Sequence, residues 1–176
     1  MTKLLLGAVL GLLVLSHPAA AQTPPPELGQ GWIPEFTLTS RQLLQLAEAT
    51  PAAKFTWRPG PGVRSISEVY MHLAAGNFWL MAQAGVPPPP EASKMPKDPN
   101  SVTSKAEVIQ WLRNSLDAVR KGYESADRQK KVQFFGKETT SELVFLRILI
   151  HNNEHMGQSI AYARMNGVVP PWSQAP

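Results

Sequence analysis

The chain has 176 residues, a net charge of +4 at neutral pH and no cysteine. Without cysteine there are no disulfide staples, no lipid-bearing cysteine, no thiol nucleophile and no thiolate ligand, so any metal chemistry must use histidine and carboxylates. The mild basic excess is scattered apart from Arg128, Lys130 and Lys131, which read as a solvated turn, and it lacks the stripe or patch of a surface that binds nucleic acid.

Met1-Thr2-Lys3, an apolar run from Leu4 to Leu15 and Ala19-Ala20-Ala21 ahead of Gln22 have the form of a secretory signal peptide over residues 1–21. The apolar run is short for a bilayer span. The expectation is a periplasmic or secreted protein, cleaved near Ala21, with no stable membrane insertion afterwards. Loss of Lys3 lowers the net charge from +4 to +3. About 155 residues remain, the usual size of one domain.

"QTPPPELGQG" (22–31) is polar and breaker-rich, which predicts a flexible tether. The domain then spans 32–172. Phe36, Leu43, Leu44 and Ala47 recur at helical spacing from Pro34 to Ala49, with Pro51 beyond, which makes a first helix. "FTWRPGPGVRS" (55–65) holds Pro59, Gly60 and Pro61 and must be a loop, with Trp57 plugging the bundle end. Ser65-Ile66-Ser67-Glu68 has the capping-box form and opens a second helix carrying Val69, Tyr70, Leu73, Phe78 and Leu80 to about Ala84. Gly85 and Pro87 to Pro90 end it, and the tract to Ser101 is a long, stiff crossover.

A second box, Ser104 to Glu107, opens a third helix with Val108, Ile109, Trp111, Leu112, Leu116 and Val119 on its buried side, running to about Ser125. "KKVQFFGKE" (130–138) is a short link in which strand and turn are equally open. A third box, Thr139 to Glu142, opens a fourth helix that ends at Asn166-Gly167. The fold class expected is all-α, a four-helix bundle with a long crossover between helices two and three.

The chain has four histidines, and His17 falls in the leader. His72 is central in helix two; His151 and His155 leave one face of helix four, four residues apart. Bundle cores are where metal sites are built from facing helices, and three histidines with an open position are a known catalytic arrangement. His72, His151 and His155 are therefore the candidate ligands of one divalent ion. The spacing is not H-E-x-x-H, because Asn152 follows His151 and the carboxylate is Glu154. Glu154, about 100° of arc from His155, and Glu68, one turn before His72, are the candidate catalytic or orienting carboxylates, with capping alone an equal reading of Glu68. Gln158 and Tyr162 continue the histidine face, either to contact a ligand or to pack.

The W-x-P loop, S-I-x-E ahead of a helical histidine and H-x3-H-x-G-Q running into a Gly-Pro end resemble the DinB-like (DinB/YfiT-type) superfamily, over about residues 32–172. The resemblance implies a four-helix bundle whose three histidines, matching His72, His151 and His155, hold a divalent ion, and frequent homodimers. Zinc is the expected metal, with nickel, iron or manganese as alternatives. Characterised relatives are thiol-dependent S-transferases or isomerases of the cytoplasm, whereas an exported chain works where such thiols are scarce. Two functions therefore compete: a metal-dependent hydrolase or thiol transferase, whose mouth the loops Trp57 to Val63 and Pro87 to Asn100 would frame, and a non-catalytic protein that binds a metal or an unidentified small ligand.

Overall fold

Each of the four apolar periodicities folds as a helix in the computed structural model, which describes residues 24–174. The leader expected over residues 1–21 lies outside these residues. The helices are α1 (Trp32–Ala49), α2 (Ile66–Gln83), α3 (Lys105–Ser125) and α4 (Ser141–Met165). α1 and α2 each pack against both α3 and α4, so they occupy opposite corners of the bundle. Among the described residues no helix is long and apolar enough to cross a membrane.

The apolar stripes meet in one core that includes Leu43, Leu73, Leu112 and Phe145, all fully buried. Each such side chain contributes about 1.5–3 kcal/mol relative to exposure. Trp32 joins three helices at one end: it stacks on Tyr123 at 4.0 Å and on Phe36 at 4.7 Å, and its indole N–H donates to the Phe145 carbonyl at 3.0 Å. The expected tether does not trail free over its described part. Glu27 pairs with Arg41 and the Gly29 N–H donates to Glu35 at 2.6 Å, which fold the segment back onto α1.

Of the three capping boxes only the first is made. Ser65 Oγ accepts from the Glu68 N–H at 3.3 Å, and Glu68 Oε2 accepts from the Ser65 N–H at 2.8 Å. Ser104 caps α3 with no side-chain hydrogen bond. At α4 the cap moves one residue on, to Thr140, whose Oγ1 accepts from the Leu143 N–H at 3.4 Å. The cause is the segment before it: the strand runs through Thr140, opposite Lys131, so the helix cannot begin before Ser141. Glu142, freed from capping, accepts from the Tyr123 hydroxyl at 3.0 Å.

That strand belongs to a β-hairpin that the sequence pattern did not announce, β1 (Lys131–Phe134) and β2 (Lys137–Thr140), antiparallel with Phe134 opposite Lys137. It lies against α2 and α4, and its turn is Phe135-Gly136, with φ of 48° and 75°. The two loops on either side of α2 are also ordered. Phe55 and Trp57 carbonyls accept from the Ser67 and Ile66 N–H groups at 2.8 and 3.1 Å. Trp57 meets Tyr162 edge-on at 5.5 Å, as a plug would. The crossover folds as two short 3₁₀ turns, Pro90–Lys94 and Pro99–Ser101, and buries Val102.

Candidate metal centre

His72 projects from the middle of α2, and His151 and His155 from consecutive turns of α4. Because α2 packs on α4, the three rings converge, each half-buried, with one nitrogen of each within 4.8 Å of the others. His72 Nε2 and His151 Nε2 are 3.2 Å apart, and ring centroids lie at 4.7 to 5.1 Å with near-perpendicular planes. Two nitrogens on one zinc at about 2.0–2.1 Å can be at most about 4.2 Å apart, so the closest pair already fits and a small turn of the rings brings in the rest.

The facing helices are held in register beside the site by buried amides. Asn152 Nδ2 donates to Asn77 Oδ1 at 2.7 Å, and Asn77 Nδ2 donates to Ser115 Oγ on α3 at 3.2 Å. One turn of α2 above His72, Gly76 leaves the space that the His151 ring fills; a Cβ there would come within 2.8 Å of His151 Cε1.

Electrostatics prepare the rings as ligands. Burial, reinforced by Arg64 and His155, lowers the His72 pKa to about 4. Burial first, then His155, His72 and Arg147, lowers His151 to about 4 against the opposing charge of Glu154. Both are therefore neutral near pH 7, with a lone pair free. His151 Nδ1 is buried without a hydrogen-bond partner. His155 Nδ1 lies 2.7 Å from Gln158 Oε1, which can only accept, so the proton sits on Nδ1 and the Nε2 lone pair is free. Gln158 is itself held by donating to the Tyr162 hydroxyl at 2.9 Å. These residues fit a divalent ion: a three-nitrogen donor set, with His72 and His151 neutral and His155 held in an oriented tautomer. Gln158→Leu, which keeps the volume and removes the acceptor, is expected to weaken metal binding by about 10–100-fold, read by competition with a chelator.

Neither of the two carboxylates singled out in the sequence hydrogen-bonds to a histidine. Glu68 spends both oxygens, one on the Ser65 N–H and one on Arg58 at 2.6 Å. Glu154 faces outward and is held by both terminal nitrogens of Arg147, one at 3.1 Å, an interaction that keeps its carboxyl below the usual range. The loops expected to frame a mouth border a polar basin of about 480 Å³, where Gly62, Arg64 and Asn100 meet Glu68 and Gln158, the partner of His155. A second cavity, of about 330 Å³, is lined by His72 and His151 together with Trp79 and the hairpin's Phe134 and Phe135. Gly76, Trp79 and Arg147 were not singled out in the sequence; the glycine in mid-helix was the one visible sign.

The sequence pattern of the DinB superfamily matches residues 35–159. No curated protein matches the chain. Among solved structures, a DinB-like protein from Bacillus cereus ATCC 10987 superposes with a TM-score of 0.70 at 17% identity, over 81% of this chain and 95% of that one. A DinB-like protein from Bacillus subtilis gives 0.60 at 14% identity, over 82% and 95%. At these identities the likeness is one of fold. With well over half of its length under the superfamily pattern, all three histidines included, the chain belongs to the DinB superfamily.

Proposed function

We propose that the protein binds one divalent metal ion through His72, His151 and His155 and offers it to a small ligand, in a compartment outside the cytoplasm. The observation that carries this reading is the convergence of three imidazole nitrogens within 4.8 Å on two packed helices. An all-imidazole set suits zinc, with nickel, iron or manganese as alternatives. Such an ion, when bound, supplies Lewis acidity toward a thiol, water or carbonyl at its open position.

The chain's own residues hold and orient. Gln158 fixes the His155 tautomer, and Asn77 and Asn152 fix the helix register. The catalytic form of the reading is a metal-dependent hydrolase or thiol transferase. Capture of a metal or small ligand without turnover is a second reading, favoured by the commitment of Glu68 and Glu154, the two candidate carboxylates, to arginines.

Elemental analysis of the protein recovered from the exported fraction tests the reading. About one divalent ion per chain is expected, absent from a triple His72, His151, His155→Ala variant, with Gln22 as the first residue. Full metal content in the triple variant would overturn the site, and full-length chain in the membrane fraction would overturn the export.

A further inference from the structure

A two-residue hairpin turn with both φ angles positive selects Asn-Gly or Gly-Gly. Here it is Phe135-Gly136, with Phe135 at φ 48° and 78% exposed. A bulky ring in that conformation is disfavoured locally, and with so little burial the fold gains almost nothing from it. Its gain lies in what it faces. Phe135 is 5.7 Å from Trp79 and 4.6 Å from Phe134, while Trp79 and Phe134 are 6.3 Å apart. Trp79, from α2, is itself 48% exposed. Three rings from two elements thus make one continuous wall of a cavity of about 330 Å³ that His72 and His151 also line.

The cavity's charge is one-sided. Its titratable lining is His72, His151 and Arg147, with no carboxylate among them. Glu154 engages two of the five guanidinium N–H donors of Arg147 and leaves three for another acceptor. The volume is at the lower end of the range for small-molecule sites, about 300–1,000 Å³, which suits a compound of one ring.

We propose that this cavity is the ligand site of the centre and selects a small one-ring carboxylic acid, its ring on the Trp79–Phe134–Phe135 wall and its carboxylate between Arg147 and the histidine nitrogens. The inference rests on the metal reading for what the acid meets at the histidines, and on the wall and Arg147 alone for the choice of ligand.

Phenylacetate, acetate and benzyl alcohol, titrated by ligand-observed NMR into the metal-loaded and the chelator-treated protein, separate the contributions. Phenylacetate is expected to bind at least tenfold more tightly than either of the others, in both forms. Phe135→Asn removes the ring while supplying the residue the turn prefers, so it should weaken phenylacetate at least fivefold without lowering the melting temperature. Trp79→Ala should do the same to binding, and Arg147→Gln should abolish the preference for phenylacetate over benzyl alcohol. Equal binding of acetate and phenylacetate, or unchanged binding in both ring variants, overturns the proposal. So does a Phe135→Asn variant that binds normally but changes its oligomeric mass, since the rings would then serve a second copy. Elemental analysis of the same samples keeps the two readings apart: selection of phenylacetate by protein that never retains metal supports the cavity and sinks the metal centre, and full metal content with no selection sinks the cavity alone.

Discussion

Gly76→Ala is expected to leave the bundle folded and to lower metal affinity by about 100-fold or more. The added Cβ would stand 2.8 Å from His151 Cε1, well inside van der Waals contact, and what it strikes is a ring free to turn about its own side-chain bonds. The cost therefore falls on the site: His151 swings aside and the ion loses a ligand, a larger loss than the 10–100-fold typical of an orienting neighbour. Two stability terms oppose each other, an overpacking cost of about 1–3 kcal/mol and a gain of about 1 kcal/mol for alanine over glycine inside a helix. The melting temperature of the metal-free protein should accordingly move little. Gly157→Ala is the matched control. It also lies inside a histidine-bearing helix, two residues from His155, but nothing stands within 4 Å of its would-be Cβ. It should gain the helix term, about 1 kcal/mol, and keep the ion. Chelator competition and thermal melts of both variants decide the matter; wild-type affinity in Gly76→Ala would show that His151 is not a ligand.

The histidine cluster was legible in the sequence because a helix converts spacing into direction. His151 and His155 share a face by their separation alone, and His72 needed only the packing of α2 on α4, which any bundle of these apolar stripes supplies. Contacts that depend on a partner outside the local frame were not legible. Glu154 is neutralised by Arg147, seven residues away and beyond the one-turn reach by which ion pairs are read along a helix. The Asn77–Asn152 clamp joins residues 75 apart. Capping boxes illustrate the same limit, since the motif at Thr139 to Glu142 is present in letters yet overridden by a strand that extends through Thr140. That strand could not be read because four residues give alternation too few periods to register. The hairpin then carries with it the feature with most bearing on ligand choice, the pair Phe134 and Phe135, whose place beside Trp79 and the histidines depends wholly on where the hairpin folds.

Acid should loosen the metal-free fold well before it strips the ion. His72 and His151 each have a pKa near 4 in the folded chain, lowered chiefly by burial, against about 6.5 for a free imidazole. Between those values the unfolded chain binds protons that the folded chain refuses, so stability falls as pH drops from 6.5 towards 4 and is fully present above 6.5. Metal binding follows a different course, because ligation competes only with protons already on the folded site. A site of three ordinary imidazoles would lose about a thousandfold in affinity between pH 7.5 and 5.5, about tenfold per ring. With His72 and His151 still neutral at pH 5.5, these two rings should contribute almost none of that loss, and their steep decline should begin as pH approaches 4. The melting temperature of metal-free protein should fall over the same interval, and that of metal-loaded protein with it, because both unfold to the same protonated chain; the gap between the two melts follows the affinity alone. Affinities and melts at pH 7.5, 6.5, 5.5 and 4.5 test both halves. A thousandfold loss of affinity by pH 5.5 would mean that the rings protonate as free imidazoles do, and that the packing of α2 on α4 does not shield them from water.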